Sequence, residues 1–338
     1  MTEVTTGHCY KRSYNVNEYY KPIVMEYLKA YPSMPSRAVA RLLCAETNGL
    51  FKDVEHARAA VRYYRGSRGE SSRTVASREP IPRLAIPESD IKSLEPFVIT
   101  AEHFPLIVGG DAHFPYHDEE AVEIFFERAA EMEAKTIVFF GDWMDMYQAS
   151  CFVKDPRARR IPDEIDQMRE FLIGVRAAFP HTRVIYKIGN HEDRLDAYIR
   201  SRAPELYGLA DVTLERLLHL DELNIECIPS RQMIKFGKLY GLHGHEIGKG
   251  VFSPVNPARG LYLKTKKSAI CAHYHQTSEH AEKNLDDKVE ACWTIGCLCN
   301  MKPEYAPVNR WNHGFAEIYM SDGMYEVKNR KIINYRVV

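Results

Sequence analysis

Leu106-Ile107-Val108-Gly109-Gly110-Asp111-Ala112-His113 is an apolar run that stops at two glycines and then delivers a carboxylate and an imidazole. The same design recurs along the chain. Thr136-Ile137-Val138-Phe139-Phe140 is stopped by Gly141, and Asp142 and Asp145 follow. Arg183-Val184-Ile185-Tyr186-Lys187-Ile188 is stopped by Gly189, and Asn190, His191 and Glu192 follow. Lys238-Leu239-Tyr240-Gly241-Leu242 leads directly into His243-Gly244-His245, and a fifth short stretch reads His273-Tyr274-His275. Each of the four apolar runs predicts a strand, and helix-length stretches over 119–133 and 163–179 separate the first three. Strand–helix–strand alternation predicts parallel βαβ units. Side chains at the carboxyl ends of such strands converge on one crevice.

A lone Asp-x-His pair occurs by chance, but five such motifs in order call for a common purpose. Metal-assisted hydrolysis of a phosphate ester supplies one. The ester is anionic and repels an attacking hydroxide. Two divalent ions about 3.5–4 Å apart lower the pKa of a bridging water and neutralise the phosphoryl oxygens. Mixed imidazole and carboxylate donors suit Mn, Fe, Zn, Co or Ni better than Ca or Mg.

The ordered set Asp-x-His, Gly-Asp-x-x-Asp, Gly-Asn-His-Glu, His-Gly-His and His-x-His, spread over residues 98–320, resembles the calcineurin-like metallophosphoesterase superfamily. The resemblance implies a four-layer αββα sandwich, two packed mixed sheets flanked by helices, around two divalent transition metal ions, with Mn2+ favoured. It implies that Asp111, His113 and His275 hold one ion and that Asp142 bridges both. Asn190, His243 and His273 hold the other. His191 faces the substrate, where it protonates the leaving alkoxide or stabilises a phosphoryl oxygen; an imidazole suits this because its pKa lies near the working pH. Asp145 and Glu192 are expected behind the ligands, holding imidazoles in one tautomer, with plain loop capping an equal alternative for Asp145. Between His243 and His245, the strand directly preceding His243 favours it as the ligand, and His245 is left to face the substrate. Arg194 either grips a phosphate or pairs with Asp193 or Asp196 at a helix start, the second being favoured. One departure is Ala272, where the family carries Gly.

The chain has 338 residues, with 45 Lys and Arg against 46 Asp and Glu. A near-neutral molecule of this size fits one catalytic domain with an appendage, not a wholly basic nucleic-acid binder. Its eight cysteines contain no Cys-x-x-Cys pair, which argues against a zinc ribbon. Neither a basic-then-apolar leader nor a membrane-length apolar run is visible. The expectation is a cytoplasmic protein with free, mostly buried thiols and no membrane partner.

Residues 1–66 read as a small all-α module resembling a helix-turn-helix unit. Asn17 is placed to cap a first helix bearing Tyr20, Ile23, Val24, Tyr27 and Leu28, with Pro22 pushing its start later. Ser36 is the expected N-cap of a second helix. Asp53 caps a third, over 54–65, closed by Gly66. On that third helix Arg58, Arg62 and Arg65 fall at i, i+4 and i+7, and Arg68 and Arg73 extend the charge. This face is a candidate for DNA or RNA phosphates, weighed equally against a solvated basic face. Residues 67–97, with spaced prolines, read as a linker, and 98–338 as the phosphoesterase domain.

Beyond Asn190, helices are expected over 196–203 and 212–220. Strands over 225–228, 232–242, 268–271, 292–296, 315–320 and 324–328 can build the second sheet. Lys249 or Arg259 on a loop after His245 can reach substrate, and Trp311 reads as a buried aromatic. The reading is a two-metal phosphoesterase acting on phosphodiesters in nucleic acid or nucleotides. The alternatives are a phosphomonoesterase on phosphoprotein or small molecules, and a DNA-binding protein with a scaffold phosphoesterase domain. The layout of a helical module before the core looks like that of phage or prophage proteins.

Overall fold

The computed structural model describes residues 20–66, 88–89, 94–155, 157, 160–248, 255–303 and 307–338. The chain divides into two compact units, Met1–Asp90 and Ile91–Val338. Among the described residues no helix is long and apolar enough to cross a membrane. Asn17, Arg68, Arg73, Lys249 and most of the expected linker lie outside the described residues.

Among the described residues the first unit holds the helices α1 (Lys21–Ala30), α2 (Ser36–Glu46) and α3 (Val54–Arg65). Pro22 sits in the first turn of α1, where its missing N–H costs nothing. Asp53 caps α3 by accepting from the His56 amide, and Gly66 closes it at φ +88°. Ser36 is not the cap of α2; Pro35 takes that position, and Ser36 is the first helical residue. Val24, Val39, Leu43, Ala57, Val61 and Tyr64 form the buried core, so the apolar stripe of α3 faces inward as its spacing predicts.

The second unit is α/β, with two sheets flanked by helices. Strands β1 (Phe97–Ile99) to β13 (Arg336–Val337) form a seven-stranded sheet, β13-β12-β11-β2-β3-β4-β5, and a six-stranded sheet, β1-β6-β7-β8-β10-β9. β2 (Leu106–Gly109), β3 (Thr136–Phe139), β4 (Arg183–Lys187) and β5 (Ile225–Ile228) run parallel. The crossovers between β2, β3 and β4 are α4 (Glu119–Glu131) and α5 (Ile161–Ala178).

Period-two alternation sorts side chains into layers. Ile107, Ile137 and Phe139 point to the α4–α5 side, against Phe125, Met168 and Leu172. Leu106, Val108, Val138 and Phe140 point the other way, against Ile234, Phe236, Leu239 and Ile270 of the second sheet. On that sheet's outer face α8 (Pro257–Thr265) buries Leu261 and Tyr262 against Ala269 and Cys292. The order helix, sheet, sheet, helix is the expected four-layer sandwich.

Several expected elements shift. Residues 232–242 are not one strand but β6 (Ile234–Phe236) and β7 (Leu239–Leu242), separated by Gly237 at φ +62°. The stretch 212–220 keeps only a four-residue helix, α7 (Leu214–Leu217), after α6 (Asp193–Arg202). β5, β11 (His313–Ser321) and β12 (Met324–Ile333) join the first sheet rather than the second, with β11 antiparallel beside β2. The helix around Arg259 was expected as loop. The polar hairpin of β9 (Ser278–Lys283) with β10 (Val289–Thr294) has an exposed outer strand and so little apolar alternation to reveal it.

Candidate metal centre

The loops leaving β2, β3, β4, β7 and β8 (Ala269–Cys271) bring the five motifs together. Asp111, His113, Asp142, His273 and His275 all have positive φ, between 53° and 69°. Asp and His tolerate this left-handed region better than most residues, yet each such position costs on the order of 1 kcal/mol or more. The turns are held by hydrogen bonds between motifs. The Asp111 amide donates to the Gly141 carbonyl (3.0 Å) and the His113 amide to the Asp142 carbonyl (2.9 Å). The His273 amide donates to Asp111 Oδ2 (2.7 Å), and the His191 amide to Asp142 Oδ1 (2.8 Å). Gly141, at φ +92°, and Gly189 are required here: a Cβ on the first would meet the His243 ring and on the second the Asp142 carboxylate.

Two groups of potential ligands result. Asp111, His113 and His275 converge in one; Asp142, His243 and His273 converge in the other, and Asp142 also groups with His113 and His191. His113 Nε2 and His275 Nε2 face each other at 3.2 Å, and His275 Nε2 lies 3.4 Å from Asp111 Oδ1. His243 Nε2 lies 3.1 Å from Asp142 Oδ2 and 3.9 Å from Asp111 Oδ1. His243 Nδ1 donates to the Phe140 carbonyl at 2.8 Å, which leaves Nε2 as a lone pair aimed at two carboxylates.

Lone pairs facing lone pairs need a positive charge between them. In the metal-free chain protons supply it. Burial opposes charge on His243, but Asp142 outweighs it and lifts the imidazole to about 9; Asp111 likewise lifts His275 to about 10. His113 and His273 fall to about 4, through burial and through the neighbouring His191 and His243 respectively. Burial works against ionising Asp111 and Asp142, yet His275 holds the first, and His243 the second, below the ordinary carboxylate range. Asn190 Oδ1 is buried without a hydrogen-bond partner, and the buried Asp111 Oδ1 and His243 Nε2 make only the charged contacts given above, with no hydrogen bond of good geometry. Unsatisfied buried acceptors are costly, and these are ligand atoms of the types a divalent transition metal takes. The residues present therefore fit divalent transition metal ions.

Behind the ligands, Glu192 is nearly fully buried and accepts from the amides of Asp142 (2.9 Å), Trp143 (2.7 Å), Met144 (3.1 Å) and Gly189 (2.9 Å), and from the Tyr186 hydroxyl (3.0 Å). It orders the backbone of two motifs, not an imidazole as expected. Asp145 does hold an imidazole: Oδ1 lies 3.0 Å from His191 Nδ1, while His113 Nδ1, at 3.4 Å, makes no hydrogen bond. Arg194 does not pair with Asp193 or Asp196. Its Nη1 donates to the Asp145 carbonyl (2.8 Å), and its Nη2 meets His191 Nε2 at 2.9 Å. His191 therefore presents Nε2 as an acceptor from Arg194, with Nδ1 protonated toward Asp145. His245 stays outside both ligand groups; its Nε2 lies 2.9 Å from Ser230 Oγ. Trp311 is half-buried with its ring 4.2 Å from that of His275. Lys187, Glu246, Cys297 and Cys299 also shape the centre, and no local motif marks them in the sequence.

Of the candidate nucleic-acid residues, Arg65 is committed within the module. Arg58, Arg62 and Arg65 are all half-buried. Arg58 Nη1 pairs with Glu55 at 3.1 Å. Arg65 spends its donors on Ser36 Oγ (3.1 Å) and the carbonyls of Pro32 (3.1 Å) and Tyr31 (3.3 Å), fastening the end of α1 to the start of α2. Its guanidinium is a structural clasp.

No protein-family model matches the chain, and no curated protein matches it. Among solved structures it is similar to zinc-bound wild-type Vps29 of Entamoeba histolytica, with 12% identity over 70% of this chain and 96% of that one, at a TM-score of 0.36. Vps29 of Cryptosporidium parvum gives 13% identity over 67% and 96%, at 0.33. Yfce, a phosphoesterase from E. coli, gives 15% identity over 67% and 98%, at 0.29.

Proposed function

We propose that this chain is a metal-dependent phosphoesterase that uses two divalent transition metal ions, Mn2+ foremost, to hydrolyse phosphodiesters. The observation that carries the reading is the convergence of Asp111, His113 and His275 in one cluster and of Asp142, His243 and His273 in a second, with Asp142 also grouping with His113 of the first, and with a buried ligand-type atom, Asp111 Oδ1 or His243 Nε2, left unsatisfied in each. When bound, the ions supply a nucleophilic hydroxide and neutralise developing charge on the phosphoryl oxygens. The chain's own residues do the rest. Asp145 fixes the His191 tautomer, and Arg194 brings one guanidinium to the same edge of the crevice, a charge that suits a singly charged diester. For His191 to act as an acid, Arg194 must transfer its donors to the substrate and free Nε2 to carry a proton. Nucleic acid or nucleotides are the proposed substrate class.

The test is a metal-loaded screen of bis-p-nitrophenyl phosphate against p-nitrophenyl phosphate, then of single- and double-stranded DNA and RNA, with Asp142→Asn as control. The expected outcome is faster turnover of the diester, with the variant losing both activity and most bound metal. Full metal content and normal turnover in Asp142→Asn would remove the two-metal reading. Preference for the monoester would leave the metals in place and move the substrate to the phosphomonoester class.

A further inference from the structure

His275 faces two ways. Its Nε2 looks into the centre, toward Asp111 and His113. Its Nδ1 looks outward and meets the Cys299 sulfur at 3.7 Å. Cys297, two residues earlier across a bend at Leu298, places its sulfur in the same spot, so that His275, Cys297 and Cys299 each offer one donor atom within 4.8 Å of the others, all buried. A ligating histidine commonly turns its second nitrogen to a carboxylate or carbonyl oxygen. Here it turns to a pair of thiols.

We propose that Cys297 Sγ, Cys299 Sγ and His275 Nδ1 form a third cation site, for a thiophilic d10 ion such as Zn2+, Cd2+ or Cu+, joined to the centre through the His275 ring. Thiolates and imidazole select such ions. Bond lengths of about 2.0–2.3 Å require donors roughly 3.5–4 Å apart, and the 3.7 Å separation of Nδ1 from the Cys299 sulfur already meets that. The segment is pinned rather than floppy. The Cys297 amide donates to the Asn312 carbonyl (3.0 Å) and the Leu298 amide to the Asp111 carbonyl (3.2 Å), while Cys299 bridges to His117. On binding, two S–H protons and the Nδ1–H proton pass to water, and two sulfur–metal bonds and one nitrogen–metal bond form. The ring becomes a bridging imidazolate, which links occupancy of the first metal position to the supply of a thiophilic ion. The site rests on the two-metal reading only for the ion on Nε2.

The full chain, reduced and loaded with Mn2+, is titrated with Cd2+ while the ultraviolet thiolate-to-cadmium charge-transfer band and the Mn and Cd contents are measured. The expected result is a band that saturates at one Cd2+ per chain with Mn retained. The double substitution Cys297→Ser, Cys299→Ser keeps Mn and abolishes the band. No band in the wild type, an undiminished band in the double variant, or loss of Mn as Cd2+ enters would overturn the proposal. Should the double variant not fold, Cys297→Ala is read instead; half the band is expected, and an unchanged band overturns it. Failure of the chain to bind Mn2+ at all would strike the two-metal reading, whereas a missing thiolate band strikes this site alone.

Discussion

Lys187 Nζ lies 3.0 Å from Glu246 Oε1 in the interior of the protein. The lysine is fully buried and also donates to the carbonyls of Ile188 (3.3 Å), Pro229 (3.2 Å) and, at short range, Ser230. The glutamate accepts from the amides of His243 (3.1 Å) and Gly244 (2.7 Å). A cation at the end of β4 thus anchors the turn that presents His243. Burial pushes Lys187 down, and against its own burial Glu246 is held at about 2 by Lys187. Lys187→Met strands a buried carboxylate, a change that costs about 3–5 kcal/mol. Urea denaturation should show that loss, and elemental analysis should show depletion of the ion assigned to Asp142, His243 and His273. Lys187→Met with Glu246→Gln should recover most of the stability. A single variant as stable and as metal-rich as the wild type would show that the pair is idle.

The contact between Arg194 and His191 makes a separable prediction. His191→Ala should keep its metal and lose roughly 10²–10⁴-fold in rate on diesters with poor leaving groups, the usual range for a general acid. The loss should shrink for p-nitrophenolate, which needs little protonation. Arg194→Ala should act chiefly on KM if the guanidinium is given over to the substrate phosphoryl group. Equal impairment of His191→Ala on good and poor leaving groups would assign the histidine to phosphoryl-oxygen stabilisation instead.

The first sheet and the turns that carry the candidate ligands were legible because the signals are local. An apolar run, a glycine stop and a ligand follow one another within eight residues in Leu106 to His113, and α3 shows its cap, stripe and terminal glycine in sequence. What was not legible depends on partners far along the chain. Lys187 reads as an ordinary strand residue until Glu246, 59 positions later, closes over it. Arg65 reads as a free cation until the carbonyls of Tyr31 and Pro32 turn out to face it. β11 reads as second-sheet material because its apolar pattern suits either sheet; only pairing with β2 decides.

Glu317 on β11 provides a stability test away from the metals. It is fully buried, and Arg128 Nε (2.9 Å) and Arg330 Nε (2.8 Å) both donate to its Oε1, while the Tyr319 hydroxyl donates to Oε2 (2.8 Å). Burial alone would raise its pKa, but Arg128 and Arg330 bring it from 4.5 to about 2. A folded-state pKa below the unfolded one means the stabilisation is complete above 4.5 and fades as pH falls toward 2. Glu317→Gln should therefore cost about 2 kcal/mol at neutral pH and progressively less in acid. Thermal melts of both proteins across that range check it; a gap that does not narrow with acid would refute the ion-pair account.

The helical module decides whether nucleic acid is a partner. Arg58 is half-buried and shares its charge with Glu55, and Arg65 clasps α1 to α2, so the test of a phosphate-binding face falls on Arg58 and Arg62 together. Replacing Arg65 would unfasten the module and confound any binding measurement. Arg58→Ala with Arg62→Ala is the cleaner pair, since both lie on the half-buried flank of α3 and neither side chain belongs to the module's core. If they contact phosphates, the double variant should bind DNA or RNA more weakly whatever its sequence, and the salt dependence should flatten by about one unit of slope per lost contact. Turnover of a small chromogenic diester should not change, because the candidate metal ligands all lie in the second compact unit. Fluorescence anisotropy at several salt concentrations measures the slope directly. No binding by the wild type at low salt would remove nucleic acid from the module and leave α3 a solvated basic helix.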